Sequence, residues 1–283
     1  MLDSRGAGSW ALAAAAWTSA VLVAGTFLLI FWDVVAQGAS FLSWEFLTAG
    51  PREMGRAGGI GPVLVSTAGI LFVCLSVSLP LGVLTAMLLA EFAVENPRLG
   101  QWVRRSLDVL AGVPSIVFGL FGNALFCRYL GLGVSILAGG LTLACMVLPF
   151  LIRAAEEGFR SVSNSHRQAA MALGFSKTST LFSIILPLAA PGVIAGVVLG
   201  LGRALAETAA LLFTSGYVPR LPTSFLDSGR MLSVHIYDLA MNVLGGNPAA
   251  YASALVLVGM LLAINVTANA LMSFVLRRHV TPG

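Results

Sequence analysis

Six long apolar runs, separated by short polar stretches, contain most of the hydrophobic positions of the chain. A bilayer core of about 30 Å is crossed by about 20 apolar residues in a helix. Runs of this length predict an all-α protein, a polytopic membrane bundle of six transmembrane helices. The predicted spans are Trp10–Trp32, Pro62–Ala90, Val109–Cys127, Val134–Ile152, Leu188–Phe213 and Ala250–Leu276.

The composition narrows the class of protein further. Of 283 residues, 58% are hydrophobic and 10% are charged, whereas about 25% are charged in a soluble domain. These values exclude a disordered chain and argue against a soluble enzyme. The length predicts one membrane domain over residues 1–283, and the net charge of +4 comes from loop arginines, not from a nucleic-acid-binding patch. The scattered cysteines and histidines predict neither a disulfide framework nor a metal site.

The first span and the charged loops predict the topology. The apolar run of the first span, about 23 residues, exceeds the roughly 7–15 residues of a signal-peptide core, which favours a retained span. Ten of the 16 Lys and Arg residues fall in loops on the side of the N-terminus, and five fall on the other side. The positive-inside rule therefore predicts that both termini are cytoplasmic.

Three shorter segments carry structural expectations. Each of the four span prolines, Pro80, Pro114, Pro149 and Pro191, predicts a kink, and Gly-Val-Pro-Ser at 112–115 predicts a re-entrant or close-packed stretch in the third span. Met231–Leu244 has apolar residues at helical spacing, with His235 and Asp238 off that stripe, which predicts a helix lying flat on the outer surface. Glu156 and Glu157 are expected on a solvated face.

The loop between the fourth and fifth spans has the most specific pattern in the chain. Ser165 with Gln168 three residues later predicts a capping box that starts a helix, and Gly174 is suited to the residue after its end. Ser176 can cap a second helix that runs to Pro187. From this pattern alone, a solvated helical hairpin without a partner is as acceptable as a docking element. The apolar stripe of the first helix is Ala169, Ala170 and Leu173.

The spacing of this loop resembles the EAA loop of ABC importer permeases. That family pattern is Glu-Ala-Ala, three residues, Gly, nine residues, Ile, one residue, Leu-Pro, and only its first position differs, because Gln168 is uncharged. The resemblance implies that the hairpin, at about 160–187, is the coupling helix that docks on a cytoplasmic ATPase subunit. The matching residues are Ala169, Ala170, Gly174, Ile184, Leu186 and Pro187.

The chain has no nucleotide-binding loop of its own. Walker A requires Gly before a Lys, and the only lysine, Lys177, is not preceded by Gly. ATP must therefore be bound by a partner if ATP drives the protein. No nucleophile and base are arranged for catalysis, so no catalytic residue and no enzyme activity are predicted.

Arg203 and Glu207 form the charged pair inside the fifth span. They are four residues apart, which predicts that they share one helix face. An ionisable residue inside a span costs about 2.5–3.5 kcal/mol, and it therefore marks a functional position. The guanidinium suits an oxyanion such as phosphate or sulfate, and Thr208 and Thr214 add hydroxyl donors. The alternative is a self-satisfied pair in a seam between helices.

The sequence around this pair resembles phosphate importer permeases of the PstA type. The family usually has Gly-Glu-Thr-Ala-Pro-Leu-Leu-Phe-Thr, where this chain has Ala206 for the Gly and Ala210 for the Pro. The likeness covers about residues 40–283, with a permease core at 60–283. Three further segments that carry it are Gly58–Pro62, Leu110–Gly122 and Asn247–Ala254.

The resemblance implies a type I ABC importer architecture in a bacterial inner membrane. A second homologous permease, a cytoplasmic ATPase dimer, an extracytoplasmic phosphate-binding protein and membrane lipid are the implied partners. ATP is bound by the ATPase subunits, and no cofactor is expected in this chain. Arg203 would contact phosphate, Glu207 would orient Arg203 or relay the conformational change, and Arg153 would hold substrate near the cytoplasmic exit. Arg153 has an alternative role as a positively charged anchor at a helix end.

Two other functions stay open from the sequence. The first is an ABC permease for another oxyanion, such as sulfate, molybdate or tungstate. The second is a carrier or channel acting alone, for which the hairpin would be incidental. A membrane-embedded enzyme is the weakest alternative, because no catalytic constellation stands out.

Overall fold

The computed structural model describes residues 4–92 and 97–280, so both ends of the predicted domain 1–283 lie outside the described residues. Five of its helices are long and apolar enough to cross a membrane, and a bent pair makes a sixth span. The prediction of an all-α membrane bundle is confirmed. The helices are α1 (Ser4–Gly38), α2 (Trp44–Thr48), α3 (Gly61–Met87), α4 (Pro97–Ala111), α5 (Ser115–Gly122), α6 (Ile136–Ser161), α7 (Asn164–Ala172), α8 (Lys177–Thr180), α9 (Leu186–Ala206), α10 (Ala209–Thr214), α11 (Leu232–Met241) and α12 (Asn247–Val280).

Helix α6 is the centre of the bundle, and it packs against α3 and α9. Ser135 caps its start by accepting a hydrogen bond from the Ala138 amide at 3.2 Å. Small residues allow α6 and α9 to approach closely at their inner ends. A Cβ on Gly158 would lie 2.8 Å from the Cα of Gly192, so both positions require glycine.

The third span, predicted over Val109–Cys127 with a kink at Pro114, is sharply bent. Helices α4 and α5 meet at 99°, and α5 continues as a π-helical stretch over Asn123–Tyr129. Pro114 causes the bend, because its extended ψ of 140° and its missing N–H end the helical ladder. The kink predicted at Pro114 is therefore confirmed, whereas Pro80, Pro149 and Pro191 lie inside α3, α6 and α9.

The fifth span is also interrupted. It runs through α8, a π-helical stretch over Leu181–Ile185, and α9, which ends at Ala206. Helix α10 begins after a break at Glu207 and Thr208, so the prediction of one helix over Leu188–Phe213 is wrong in its last turns.

The outer segments pack onto the bundle rather than onto the membrane surface. Strands β1 (Pro51–Arg52) and β2 (Ala57–Gly58) form a small antiparallel hairpin after α2. Helix α11 lies among α9, α10, α12 and α3, and its His235 is fully buried. The prediction that Met231–Leu244 lies flat on the outer surface is therefore wrong.

Candidate substrate path and coupling hairpin

The break in span five is fixed by hydrogen bonds to Glu207. The residue has extended backbone angles (φ −77°, ψ 127°), and its carboxylate Oε1 accepts the amide N–H of Ala210 at 3.2 Å. The hydroxyl of Ser233 in α11 donates to the Glu207 carbonyl at 2.5 Å. Because α9 ends before Glu207, the prediction that Arg203 and Glu207 share one helix face is wrong. Glu207 is buried and holds the start of α10.

Arg203 lies in the last turn of α9, and its side chain is exposed. Its guanidinium carbon is 4.7 Å from the ring centroid of Phe150, which belongs to the middle of α6. Cation–π contact is a favourable way to hold an arginine in apolar surroundings. Among residues 4–92 and 97–280, no carboxylate forms an ion pair with Arg203. The alternative of a self-satisfied pair with Glu207 is therefore not what the structure has.

Arg153 lies three residues from Phe150 on α6, so the two residues are neighbours on the helix surface. Its guanidinium forms an ion pair with Asp108 of α4, and it donates to the carbonyl of Arg104 at 3.2 Å. Arg153 thus ties α4 to α6. This geometry favours the anchor over the substrate-holding role, although the charge stays partly exposed.

The two threonines that follow Glu207 differ in availability. Thr208 is half-buried and lies in the break itself, with φ −120° and ψ −51°. Thr214 is fully buried, and its hydroxyl donates to the carbonyl of Ala210 at 2.9 Å. The expectation that Thr214 offers a hydroxyl to substrate is therefore wrong, because α10 already uses that donor.

The hairpin between spans four and five has the predicted helix, turn and helix. Helix α7 begins one residue before Ser165, because Ser163 is its cap and accepts the amide N–H of Ser165 at 3.3 Å. The prediction of Ser165 as the cap of a capping box with Gln168 is therefore wrong. The second cap is confirmed, since Ser176 accepts the Ser179 amide N–H at 3.1 Å.

Gly174 makes the turn between the two helices. Its φ of +77° is a left-handed conformation that glycine adopts without strain. The amide N–H of Gly174 donates to Met171, and that of Phe175 donates to Ala170, both at 3.0 Å. These two bonds form a Schellman end to α7, as the position of Gly174 predicts.

The exposed surface of the hairpin carries apolar side chains among polar ones. Ala170 is buried against the protein, while Gln168, Ala169 and Leu173 are exposed, with Leu173 at 75%. Of the three residues of the predicted stripe, Ala170 therefore packs against the protein, while Ala169 and Leu173 are exposed. Further along, Ile184, Leu186 and Pro187 are half-buried where the chain enters span five.

Arg167 anchors the hairpin, and the sequence analysis missed this role. Its guanidinium forms an ion pair with Glu91 at the inner end of span two, and Nε lies 3.1 Å from each carboxylate oxygen. It also donates to the last carbonyls of α6, at Phe159 (3.1 Å) and Val162 (2.6 Å). Charge-assisted, two-pronged bonds of this kind give a fixed orientation. Motions of α7 are thereby tied to α3 and α6.

Glu156 is a second inner anchor. It is only 4% exposed and accepts from Arg104 of α4 at 2.7 Å and from Arg160 at 3.0 Å. The expectation of a solvated Glu156 is wrong, because α4 covers it, whereas Glu157 is exposed as expected.

A buried polar cluster supports the outer end of the break. Arg230 pairs with Asp238 at 2.8 Å, donates to the Tyr217 carbonyl at 2.7 Å, and lies 3.4 Å from His235 Nδ1. Burial, with the neighbouring Arg230, lowers the pKa of His235 to about 4. The imidazole is therefore neutral near pH 7.

The fold, with five or six candidate membrane spans and a helical hairpin between spans four and five, defines a class of protein, the polytopic membrane permease. Comparison with known proteins agrees with this class. Residues 78–280 match the family model described as binding-protein-dependent transport system inner membrane component. The chain belongs to this family, and within it to the PstA type.

Relatives give the same classification, and solved structures share the fold. A probable ABC transporter permease, YqgI of Bacillus subtilis, is 34% identical over 83% of this chain and 83% of its own length. The phosphate transport system permease protein PstA of Mycobacterium leprae is 33% identical over 87% of this chain and 82% of its own length. A bacterial alginate ABC transporter has a TM-score of 0.66 at 16% identity, covering 100% of this chain and 99% of that one. The MetNI methionine ABC transporter has a TM-score of 0.59 at 17% identity, covering 77% and 94%.

Proposed function

We propose that the chain is the transmembrane permease subunit of an ATP-driven importer of inorganic phosphate. The observation that carries the proposal is Arg203, an exposed guanidinium beside the middle of α6 that rests on Phe150 and has no carboxylate partner among the described residues. A charge in such a position is expensive unless a pathway hydrates it or a substrate neutralises it. The relatives named as phosphate permeases support phosphate as that substrate.

Four residues have separate roles in the proposed path. Arg203 contacts the oxyanion through its planar fork of donors, and Thr208 adds a hydroxyl from the break. Glu207 acts as a positioning residue, because its carboxylate holds the α10 amide of Ala210 and keeps the break open. Arg153 is closer to the coupling hairpin and stabilises the inner end of the path through Asp108.

The exposed face of the hairpin supports docking on an ATPase. Leu173 and Met171 are 75% and 60% exposed, and apolar side chains in water favour burial against a partner. In this proposal two ATPase subunits bind ATP, so the permease itself carries no cofactor. The Arg167 bonds to Glu91 and to the end of α6 transmit hairpin movement to spans two and four.

The assembly contains a second, homologous permease and an extracytoplasmic phosphate-binding protein. In this proposal the hairpin faces the cytoplasm. Both termini of a single permease domain, 1–283, then lie on the cytoplasmic side of a bacterial cytoplasmic membrane. A different oxyanion is the second candidate, because a guanidinium binds sulfate or molybdate by the same geometry. A carrier acting alone is not supported, since the family is a component of a multi-subunit system.

The test is uptake of radiolabelled phosphate by vesicles that contain the purified four-component importer. We expect uptake only with ATP on the hairpin side, and we expect an excess of sulfate or molybdate to leave it unchanged. Uptake without ATP would overturn the importer assignment. Inhibition by sulfate, with labelled sulfate transported instead, would keep the permease and change the substrate.

A further inference from the structure

Helix α4 has one face that no other described part of the chain covers. Its opposite face is anchored, because Leu107 is buried and Arg104 donates to the Leu89 carbonyl at 3.0 Å and to Glu156 at 2.7 Å. The outward face contains Leu99, Trp102 and Val109, which are 61%, 69% and 70% exposed. At 100° per residue these three side chains fall within one third of the helix circumference.

The position of α4 places this face at a membrane surface. The helix meets the following span at 99°, so it runs nearly parallel to the bilayer plane if α5 crosses the bilayer. It lies on the same side of the molecule as the coupling hairpin, since Arg104 and Arg153 join it to the inner ends of α3 and α6. An amphipathic helix in this orientation buries its apolar face at the boundary of headgroups and acyl chains.

The exposed arginines of α4 favour anionic lipids over neutral ones. Arg98 and Arg105 are seven residues apart, both are exposed, and both lie along one edge of the apolar face beside Trp102. The other exposed charged side chain of α4, Asp108, is paired with Arg153. Within residues 4–92 and 97–280 neither arginine has an ion pair, and both lie where they can meet phosphate groups at headgroup depth, at which tryptophan also prefers to lie.

We infer that α4 is an interfacial binding site for anionic phospholipid headgroups, with Arg98 and Arg105 as the headgroup ligands and Trp102 as the interfacial anchor. The site is independent of the transported substrate. It also adjoins the coupling elements, because Arg104 holds the carbonyl of Leu89, two residues before the Glu91 that binds Arg167.

The experiment measures quenching of Trp102 by brominated lipids in the assembled importer. The nanodiscs contain phosphatidylglycerol and phosphatidylcholine in equal amounts. In one preparation the phosphatidylglycerol is brominated, and in the other the phosphatidylcholine is brominated. The difference between wild type and Trp102→Phe isolates Trp102 from the other four of the five tryptophans. We expect about twofold stronger quenching by the anionic lipid.

Two variants of matched charge decide what causes the preference. Arg98→Gln with Arg105→Gln is expected to abolish it, whereas Arg128→Gln with Arg220→Gln, at two exposed arginines outside α4, is expected to keep it. Equal quenching by both lipids in wild type would overturn the inference. Absence of quenching by either lipid would also overturn it, because another subunit would then cover the face. The wild-type comparison decides even if the double variant does not assemble.

Discussion

Arg153 and Arg203 lie near the same stretch of α6, but the protein uses them differently. Arg153 is bonded to Asp108 and to the Arg104 carbonyl, so its charge is compensated by the chain. Arg203 has the Phe150 ring beneath it and no carboxylate partner among the described residues. An arginine near a membrane span is therefore a candidate for a substrate path only where the fold leaves its charge uncompensated.

The largest expected effect comes from disturbing the close contact between α6 and α9, the helices that carry Arg153 and Arg203. Gly192→Ala places a methyl group against the backbone of Gly158 and is expected to destabilise the chain by about 3 kcal/mol, with loss of most folded permease. Folded yield in detergent measures it. The matched control is Gly202→Ala in the same helix, where a Cβ meets only Leu261 at 3.9 Å. Equal yields of the two variants would contradict the close α6–α9 contact.

Lysine substitutions at Arg203 and at Arg153 separate the roles of the two arginines. Arg203→Lys keeps the charge but loses the planar fork and its stacking on Phe150, so phosphate uptake is expected to fall about tenfold. Arg153→Lys can still meet the Asp108 carboxylate, and uptake is expected to stay within about twofold of wild type. Uptake per assembled complex is the measurement. A larger loss in Arg153→Lys would exchange the roles proposed for the two residues.

The outer cluster that supports the Glu207 break gives a pH dependence. His235 has a pKa of about 4 in the folded chain, below its ordinary value of about 6.5, so the unfolded chain binds a proton first as the pH falls. The free energy of unfolding is therefore highest above about pH 6.5 and decreases toward pH 4. At pH 5.5 it is lower by about 1 kcal/mol. Thermal unfolding across this range measures the decrease.

The control variants for this pH dependence are two histidine substitutions. His235→Gln should flatten the profile between pH 7 and pH 5.5. His166→Gln, at an exposed hairpin position, should retain it. A flattened profile in the His166 variant would assign the titration to the hairpin instead.

The smallest expected effect concerns the ion pair of Arg153. Its partner Asp108 has a side chain that is 65% exposed, and exposed pairs contribute little. Asp108→Asn should lower the free energy of unfolding by about 0.5 kcal/mol and leave uptake almost unchanged. Glu157→Gln is the control, since Glu157 is exposed and has no ion pair among the described residues. Complete loss of uptake in Asp108→Asn would show that Arg153 serves the path.

Local signals predicted the parts of the structure that depend on neighbouring residues alone. Apolar run length predicted the spans, and the turn at Gly174 and the cap at Ser176 followed from their conformational and hydrogen-bonding preferences. The kink at Pro114 was also visible, although its size of 99° was not, because the bend depends on how α4 packs against α6.

The features that were missed depend on residues far apart in the sequence. The helix-favouring segment Arg-Ala-Leu-Ala-Glu-Thr-Ala-Ala gave no sign of a break, which Ser233 stabilises from 26 positions away. The bonds of Arg167 to Glu91 and of Glu156 to Arg104 span 76 and 52 positions. A single sequence carries no signal for such pairs, so a lone Arg or Glu near a span end is read as a solvated charge.

The most direct test of the account compares Arg203→Gln with Arg153→Gln in vesicles that contain the complete importer. ATP-dependent phosphate uptake is measured at equal amounts of assembled complex. We expect uptake to fall about 100-fold in Arg203→Gln, corresponding to about 2.7 kcal/mol, and by no more than about threefold in Arg153→Gln. Equal losses, or normal uptake by the assembled Arg203 variant, would contradict the claim that the uncompensated arginine carries the substrate.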